Sequence, residues 1–101
     1  MFEHLVIFKL NEHYEPQKEA LLVQTLLGLK DQIPGIVELT AGVNVTEETE
    51  NMHGYTLGLR VTFADQEALR QYGPHPAHRH FVELLEGIIE NVVVVDYPIA
   101  K

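Results

Sequence analysis

The chain contains no cysteine and no tryptophan. The first absence removes disulfides, thiolate catalysis, iron–sulfur ligation and cysteine-based zinc sites, and it fits a reducing compartment. Basic residues are scarce: seven Lys plus Arg stand against fifteen Asp plus Glu, a formal net charge of −8 at pH 7. An extended phosphate backbone would be repelled and would meet no basic stripe for counterion release, so nucleic-acid binding is not expected. Long apolar runs are missing as well. The opening MFEHLVIFKL has an acid at Glu3 and no basic stretch ahead of a long hydrophobic segment. Neither a signal peptide nor a membrane span is expected, and the default location is cytoplasmic. There is no glycine-rich phosphate loop, nucleophile elbow or dinucleotide fingerprint. What remains, 101 residues that are 46% hydrophobic and 22% charged without repeat or linker, is one globular domain spanning residues 1–101 with a modest core.

Glu3 to Leu10 is a β-branched and aromatic run that reads as a strand, with His4, Val6 and Phe8 on one face and Leu5 and Ile7 on the other. Glu15, Pro16 and Glu19 mark a helix start, and Leu22, Leu26, Leu29 and Ile33 recur at helical spacing until Pro34–Gly35 stops it. Ile36 to Val45 alternates as a second strand. Thr46 to Gly54 is an acidic loop. Tyr55 to Phe63 alternates most clearly, with Tyr55, Leu57, Leu59, Val61 and Phe63 on one face. Asp65 caps a short helix through Tyr72, and Gly73–Pro74 breaks it. A further helix starts at His75–Pro76 and carries Phe81, Val82, Leu85, Ile88 and Ile89 inward. The last strand, Asn91 to Tyr97, holds four consecutive valines, Val92 to Val95, which calls for burial on both faces.

The order βαββαβ predicts an α+β, ferredoxin-like protomer. Its helices cover one face of the sheet, yet Leu5, Ile7, Val93, Val95 and Tyr97 fall on the other. A contiguous apolar patch of that kind marks an association surface, and a homodimer packed sheet to sheet is expected.

The densest cluster of reactive side chains is Tyr72-Gly73-Pro74-His75-Pro76-Ala77-His78-Arg79-His80. His78 shares a helical face with Phe81, Val82 and Leu85, so it points at the sheet. Asp96 shares a strand face with Val92 and Val94, where an isolated carboxylate would pay a large desolvation penalty. The expectation is a His78–Asp96 pair, with the acid orienting the ring and His78 serving as a general base near neutral pH. A pair that does no more than satisfy itself in the core has the same pattern. His4, beside Val6 and Phe8, reads as a core histidine. Tyr55 and Tyr72 can each bring a phenol near the pocket, and Tyr72 is better placed because it directly precedes the histidine motif. His75 and His78 have His-x-x-His spacing, but no further ligand stands at a diagnostic distance, so no metal is expected.

The segments EHLVIFKL, GYTLGLRVTF, YGPHPAH and VVVVDYP together resemble the stress-responsive dimeric α/β-barrel family over almost the whole length. The resemblance implies ferredoxin-like protomers pairing their sheets into a dimeric α/β barrel. Within the family it extends to plant polyketide cyclases, which fold a linear polyketide thioester by intramolecular aldol condensation without a cofactor. It implies His78 as base, Asp96 as orienter, Tyr72 as the substrate-contacting tyrosine and His4 as a pocket residue; Leu57, Leu59 and Tyr55 are expected to join His4 as substrate-binding residues. Leu57 stands where the cyclases have a second pocket histidine, and Gly73–Pro74 replaces two aliphatic residues, so the plant substrate does not carry over. The function expected is that of a cofactor-independent enzyme, lyase- or isomerase-like, on a small carbonyl or polyketide-like substrate. The main rival is a non-catalytic barrel holding a small hydrophobic ligand; a haem-binding or quinone-type monooxygenase on the same fold is a third reading.

Overall fold

The computed structural model describes residues 1–100. Strand β1 (Phe2–Leu10) leads to helix α1 (Pro16–Gln32), then β2 (Ile36–Val43), β3 (Tyr55–Phe63), α2 (Gln66–Tyr72), α3 (Pro76–Leu84) and β4 (Ile89–Pro98). The four strands form one antiparallel sheet in the order β2-β3-β1-β4. This is the ferredoxin-like βαββαβ topology, with the second helical connection divided into α2 and α3.

Local chemistry sets the boundaries. Pro16 sits in the first turn of α1, Glu19 complements its N-terminal dipole and Lys30 its C-terminal one. Gly35, at φ 90°, then turns the chain where a Cβ would collide with the Ala68 methyl, so glycine is required twice over. The Asp65 carboxylate caps α2 by accepting the Ala68 N–H at 2.8 Å. His75 Nδ1 does the same for α3, accepting the Ala77 N–H at 3.0 Å.

The core lies between the helices and one sheet face. Leu22, Leu26 and Leu29 of α1 are fully or almost fully buried, and they meet the alternating Leu57, Leu59, Val61 and Phe63 of β3 and Val6 and Phe8 of β1. On the uncovered face, Thr62 donates its hydroxyl to Glu3 at 2.5 Å, and Arg60 pairs with Glu3 and Glu38. Beside that polar cluster lie the partly buried Leu5 and the exposed Ile7, Val93, Val95 and Tyr97. The apolar patch expected there is present on the single chain.

Several boundaries and one burial pattern differ from expectation. Strand β2 stops at Val43, because the Asn44 side chain accepts the Thr46 N–H at 2.9 Å and bends the chain away, leaving Val45 88% exposed. Helix α3 ends at Leu84 and does not run to Ile89: Leu85 and Ile88 close tight turns onto Val82 and Leu85, and Gly87 at φ 83° reverses the chain. Asn11 then holds the turn, its backbone N–H on the Ile88 carbonyl at 2.7 Å and its side chain on the Gly87 carbonyl at 3.0 Å. Strand β4 accordingly begins at Ile89, paired with Leu10, and continues to Pro98. Val92 to Val95 are 40–51% exposed in the single chain, not buried on both faces, since β4 is an edge strand that no helix roofs.

Candidate functional site

The unroofed strand makes the site. A cavity of about 720 Å³ follows the seam between β1 and β4 and is flanked by α2 and α3. Each strand contributes every second residue: His4, Val6 and Phe8 from β1, and Asp96, Val94 and Val92 directly opposite in the ladder. Tyr72 enters from the last turn of α2 and His78 from the first turn of α3. The polar groups His4, Asp96, Tyr72 and His78 gather at one end, whereas Phe8, Phe81, Leu85 and Val92 make most of the remainder apolar, with Gln66, Arg70 and Glu86 also on its wall.

The expected His78–Asp96 pair is not formed. Asp96 binds His4, whose Nδ1 donates to Asp96 Oδ1 at 2.5 Å. The reason is register: His4 and Asp96 are Cα partners in the β1–β4 ladder, so their side chains rise side by side on the same face. His78 instead donates its Nδ1–H to the Gly73 carbonyl at 3.0 Å, five residues back. A carbonyl only accepts, so this bond fixes the proton on Nδ1 and leaves the lone pair on Nε2. Burial pushes the His78 imidazole below its ordinary 6.5, with nearby His4 acting in the same direction and the Gly73 hydrogen bond opposing them. The ring is therefore neutral at pH 7 and able to take a proton.

Tyr72 lies between the two histidines. Its ring centroid is 4.4 Å from that of His78 and 5.4 Å from that of His4, and Phe63 backs it edge-on at 5.1 Å. Its hydroxyl is buried and, among the described residues, has no hydrogen-bond partner. Burial pushes the phenol up to about 12, so it stays protonated and is a donor throughout the physiological range. A buried hydroxyl left unsatisfied costs about 1–3 kcal/mol, and such an atom at a cavity is a place for a ligand acceptor.

Of the expected wall residues, only Leu59 and His4 line the cavity. Leu57 is 1% exposed in the closed core, and Tyr55 is at the far end of β3, where its hydroxyl accepts from the Asn91 side chain at 2.6 Å. Leu57 is sealed beneath the core, and the register shift between Phe8 and Lys9 pairs Tyr55 with Lys9, out of the row of Leu57 and Leu59. The role of His4 as the partner of Asp96 was missed, because the two strand faces alone do not set the β1–β4 register. Val82, expected inward, is 44% exposed at the cavity wall. The Nδ1 of His75 is occupied as a helix cap, and among the described residues no group of three or more His, Asp or Glu is placed to hold a metal ion. Nor is any helix among them long and apolar enough to cross a membrane.

Comparison with known proteins places this geometry. Olivetolic acid cyclase of Cannabis sativa is 31% identical over 96 residues, which cover 94% of this chain and 93% of the cyclase. The crystal structure of an Arabidopsis thaliana protein superposes with a TM-score of 0.85 at 28% identity, covering 100% of this chain and 97% of that one. A dimeric ferredoxin-like protein of unknown function from Jannaschia sp. superposes with a TM-score of 0.81 at 27% identity, covering 97% of this chain and 98% of that one. Residues 2–99 match the family described as Stress responsive A/B Barrel Domain, and the chain belongs to that family.

Proposed function

We propose that the cavity is the site of a cofactor-independent enzyme acting by general-base chemistry on a small carbonyl or polyketide-like substrate. His78 Nε2 removes a proton from the carbon next to a carbonyl, and the Tyr72 hydroxyl donates to the oxygen that becomes the enolate. The observation that carries this reading is the buried, unpartnered Tyr72 hydroxyl set against a neutral imidazole at the polar end of an otherwise apolar cavity. Donors already aimed at a developing oxyanion in a water-poor pocket are the most effective form of electrostatic catalysis. The Gly73 carbonyl, and not Asp96, orients the base. The relation to a cyclase supports an enzyme; it does not select the substrate.

Two copies pair through the uncovered sheet face, burying Ile7, Val93, Val95 and Tyr97, in keeping with the relative described as dimeric. Pairing there leaves the cavity accessible, since it lies on the helix side of the sheet.

Exchange of the methylene protons of ethyl acetoacetate in D₂O, followed by proton NMR, tests the activity. The protein should accelerate exchange above the buffer rate, and His78→Gln should remove about 100-fold or more of that acceleration. Binding of the ester with no acceleration would reject the enzyme and favour a barrel that holds a small hydrophobic ligand.

A further inference from the structure

The two histidines of the cavity differ in the partner each has for Nδ1. His4 faces an acid: its Nδ1–H lies on the Asp96 carboxylate at 2.5 Å. His78 faces a neutral acceptor, the Gly73 carbonyl at 3.0 Å. Both rings line the same cavity, and the unpartnered Tyr72 hydroxyl belongs to the ring packed between them. A positive charge on His4 is balanced by its own partner, whereas a positive charge on His78 is not. When two titratable groups of one site have such different surroundings, the difference assigns the acid and the base.

We infer that the two imidazoles divide the proton transfers of the reaction, with His78 Nε2 taking the carbon-bound proton and His4, held by Asp96, delivering a proton to the second oxygen. This rests on the function proposed above and adds a second proton-transfer group to it. In an intramolecular aldol step the C–H bond breaks towards His78 Nε2 and its electron pair becomes the enolate, held by Tyr72. The enolate carbon then attacks a second carbonyl of the same molecule. The new carbon–carbon bond forms, the carbonyl π pair moves to its oxygen, and that oxygen takes the Nε2 proton of the doubly protonated His4. The substrate loses one proton at carbon and gains one at oxygen, and a return of the proton from His78 to His4 restores the starting state. The substrate class that needs both groups carries two carbonyls close enough for ring closure; a substrate with one carbonyl needs only His78 and Tyr72. Asp96 touches no reacting atom in this scheme and is a positioning residue for His4.

The other titratable or charged groups around the cavity are Arg70 and Tyr72 from α2 and Glu86 from the turn after α3, in addition to His4 on β1, His78 on α3 and Asp96 on β4. Arg70 and Glu86 are exposed and opposite in charge, so neither removes the asymmetry between the rings.

Nitrogen NMR of the protein with labelled histidine tests the assignment without a substrate. The His4 Nδ1–H signal should move in Asp96→Asn, which removes the charge it donates to, while the His78 Nδ1–H signal and its hydrogen bond to Gly73 persist. Two reactions then separate the roles. Exchange of ethyl acetoacetate protons requires only the base, whereas retro-aldol cleavage of 4-hydroxy-4-methylpentan-2-one requires proton transfer at both carbon and oxygen. His4→Gln should lower cleavage at least about tenfold more than it lowers exchange, and His78→Gln should abolish both. If the His4 Nδ1–H signal does not respond to Asp96→Asn, or if His4→Gln lowers exchange and cleavage equally, the division of roles is wrong although the base stands. If the wild-type protein accelerates neither reaction, the proposed function itself fails.

Discussion

The helix-facing side of the sheet has two halves built on the same alternation of residues and put to opposite uses. Over β2, β3 and part of β1, helix α1 lays Leu22, Leu26 and Leu29 onto Leu57, Val61 and Phe63, and all six are at most 1% exposed. Over the edge strand β4, no helix descends, and Val92 and Val94 on that same face are 44% and 51% exposed. His4 belongs to the strand that both halves share. The difference teaches that the site is a place where packing stops short. Edge strand β4 supplies a carboxylate and apolar wall, α2 and α3 supply a phenol and an imidazole, and the gap between them is the cavity.

Truncation on the two sides should give the largest contrast. Leu26→Ala in the closed half should destabilise the protein by about 2–5 kcal/mol, the range for a fully buried leucine. Val94→Ala in the open half should cost no more than about 1 kcal/mol, because half its surface already meets solvent. Urea unfolding of both variants checks this; equal losses would mean that the open half is as tightly packed as the closed one.

The uncovered side of the sheet provides the second test. Val93→Lys places a charge in the proposed contact between copies and should convert a dimer to monomer in sedimentation velocity. The helix-side cavity should remain, with proton exchange retained by the monomer.

The pH dependence should come from His78. Its folded-state value is depressed below the ordinary 6.5, so the unfolded chain binds its proton more readily than the folded one. The stability contributed is complete above about 6.5 and declines as pH falls from there through the lowered folded value. Unfolding curves at several pH values between 5 and 8 should show this slope in the wild type and a shallower one in His78→Gln. Exchange activity should fall over the same window as the base becomes protonated. A slope unchanged in His78→Gln would place the effect on another group.

The elements were legible because each has a local signature: the alternation Tyr55 to Phe63, the Asp65 cap and the Pro34–Gly35 stop all appear where the residues indicate. The membership of the cavity was legible in part, since His4, Tyr72, His78 and Asp96 were all singled out and all line it. Their pairing was not. A face assignment says that His4 and Asp96 point to the helix side, but only the register of β1 against β4 makes them neighbours, and that depends on two strands far apart in sequence. The Gly73 carbonyl as partner of His78 was equally hidden, because a backbone acceptor leaves no mark in the residue types. Leu57 shares the right strand face but is sealed in the closed core, and the register shift that pairs Tyr55 with Lys9 takes Tyr55 out of the row of Leu57 and Leu59.

The smallest expected effect bears most directly on the central claim, that the Tyr72 hydroxyl is kept unpaired for a ligand. Tyr72→Phe should leave stability unchanged or raise it by up to about 1 kcal/mol, since no hydrogen bond is lost and an unsatisfied buried group is removed. In the same variant, the acceleration of ethyl acetoacetate exchange should drop by about 10-fold or more for want of the oxyanion donor. A Tyr72→Phe protein that loses more than about 1 kcal/mol in urea unfolding and exchanges the ester at the wild-type rate would contradict the account, because the hydroxyl would then serve the fold and not the chemistry.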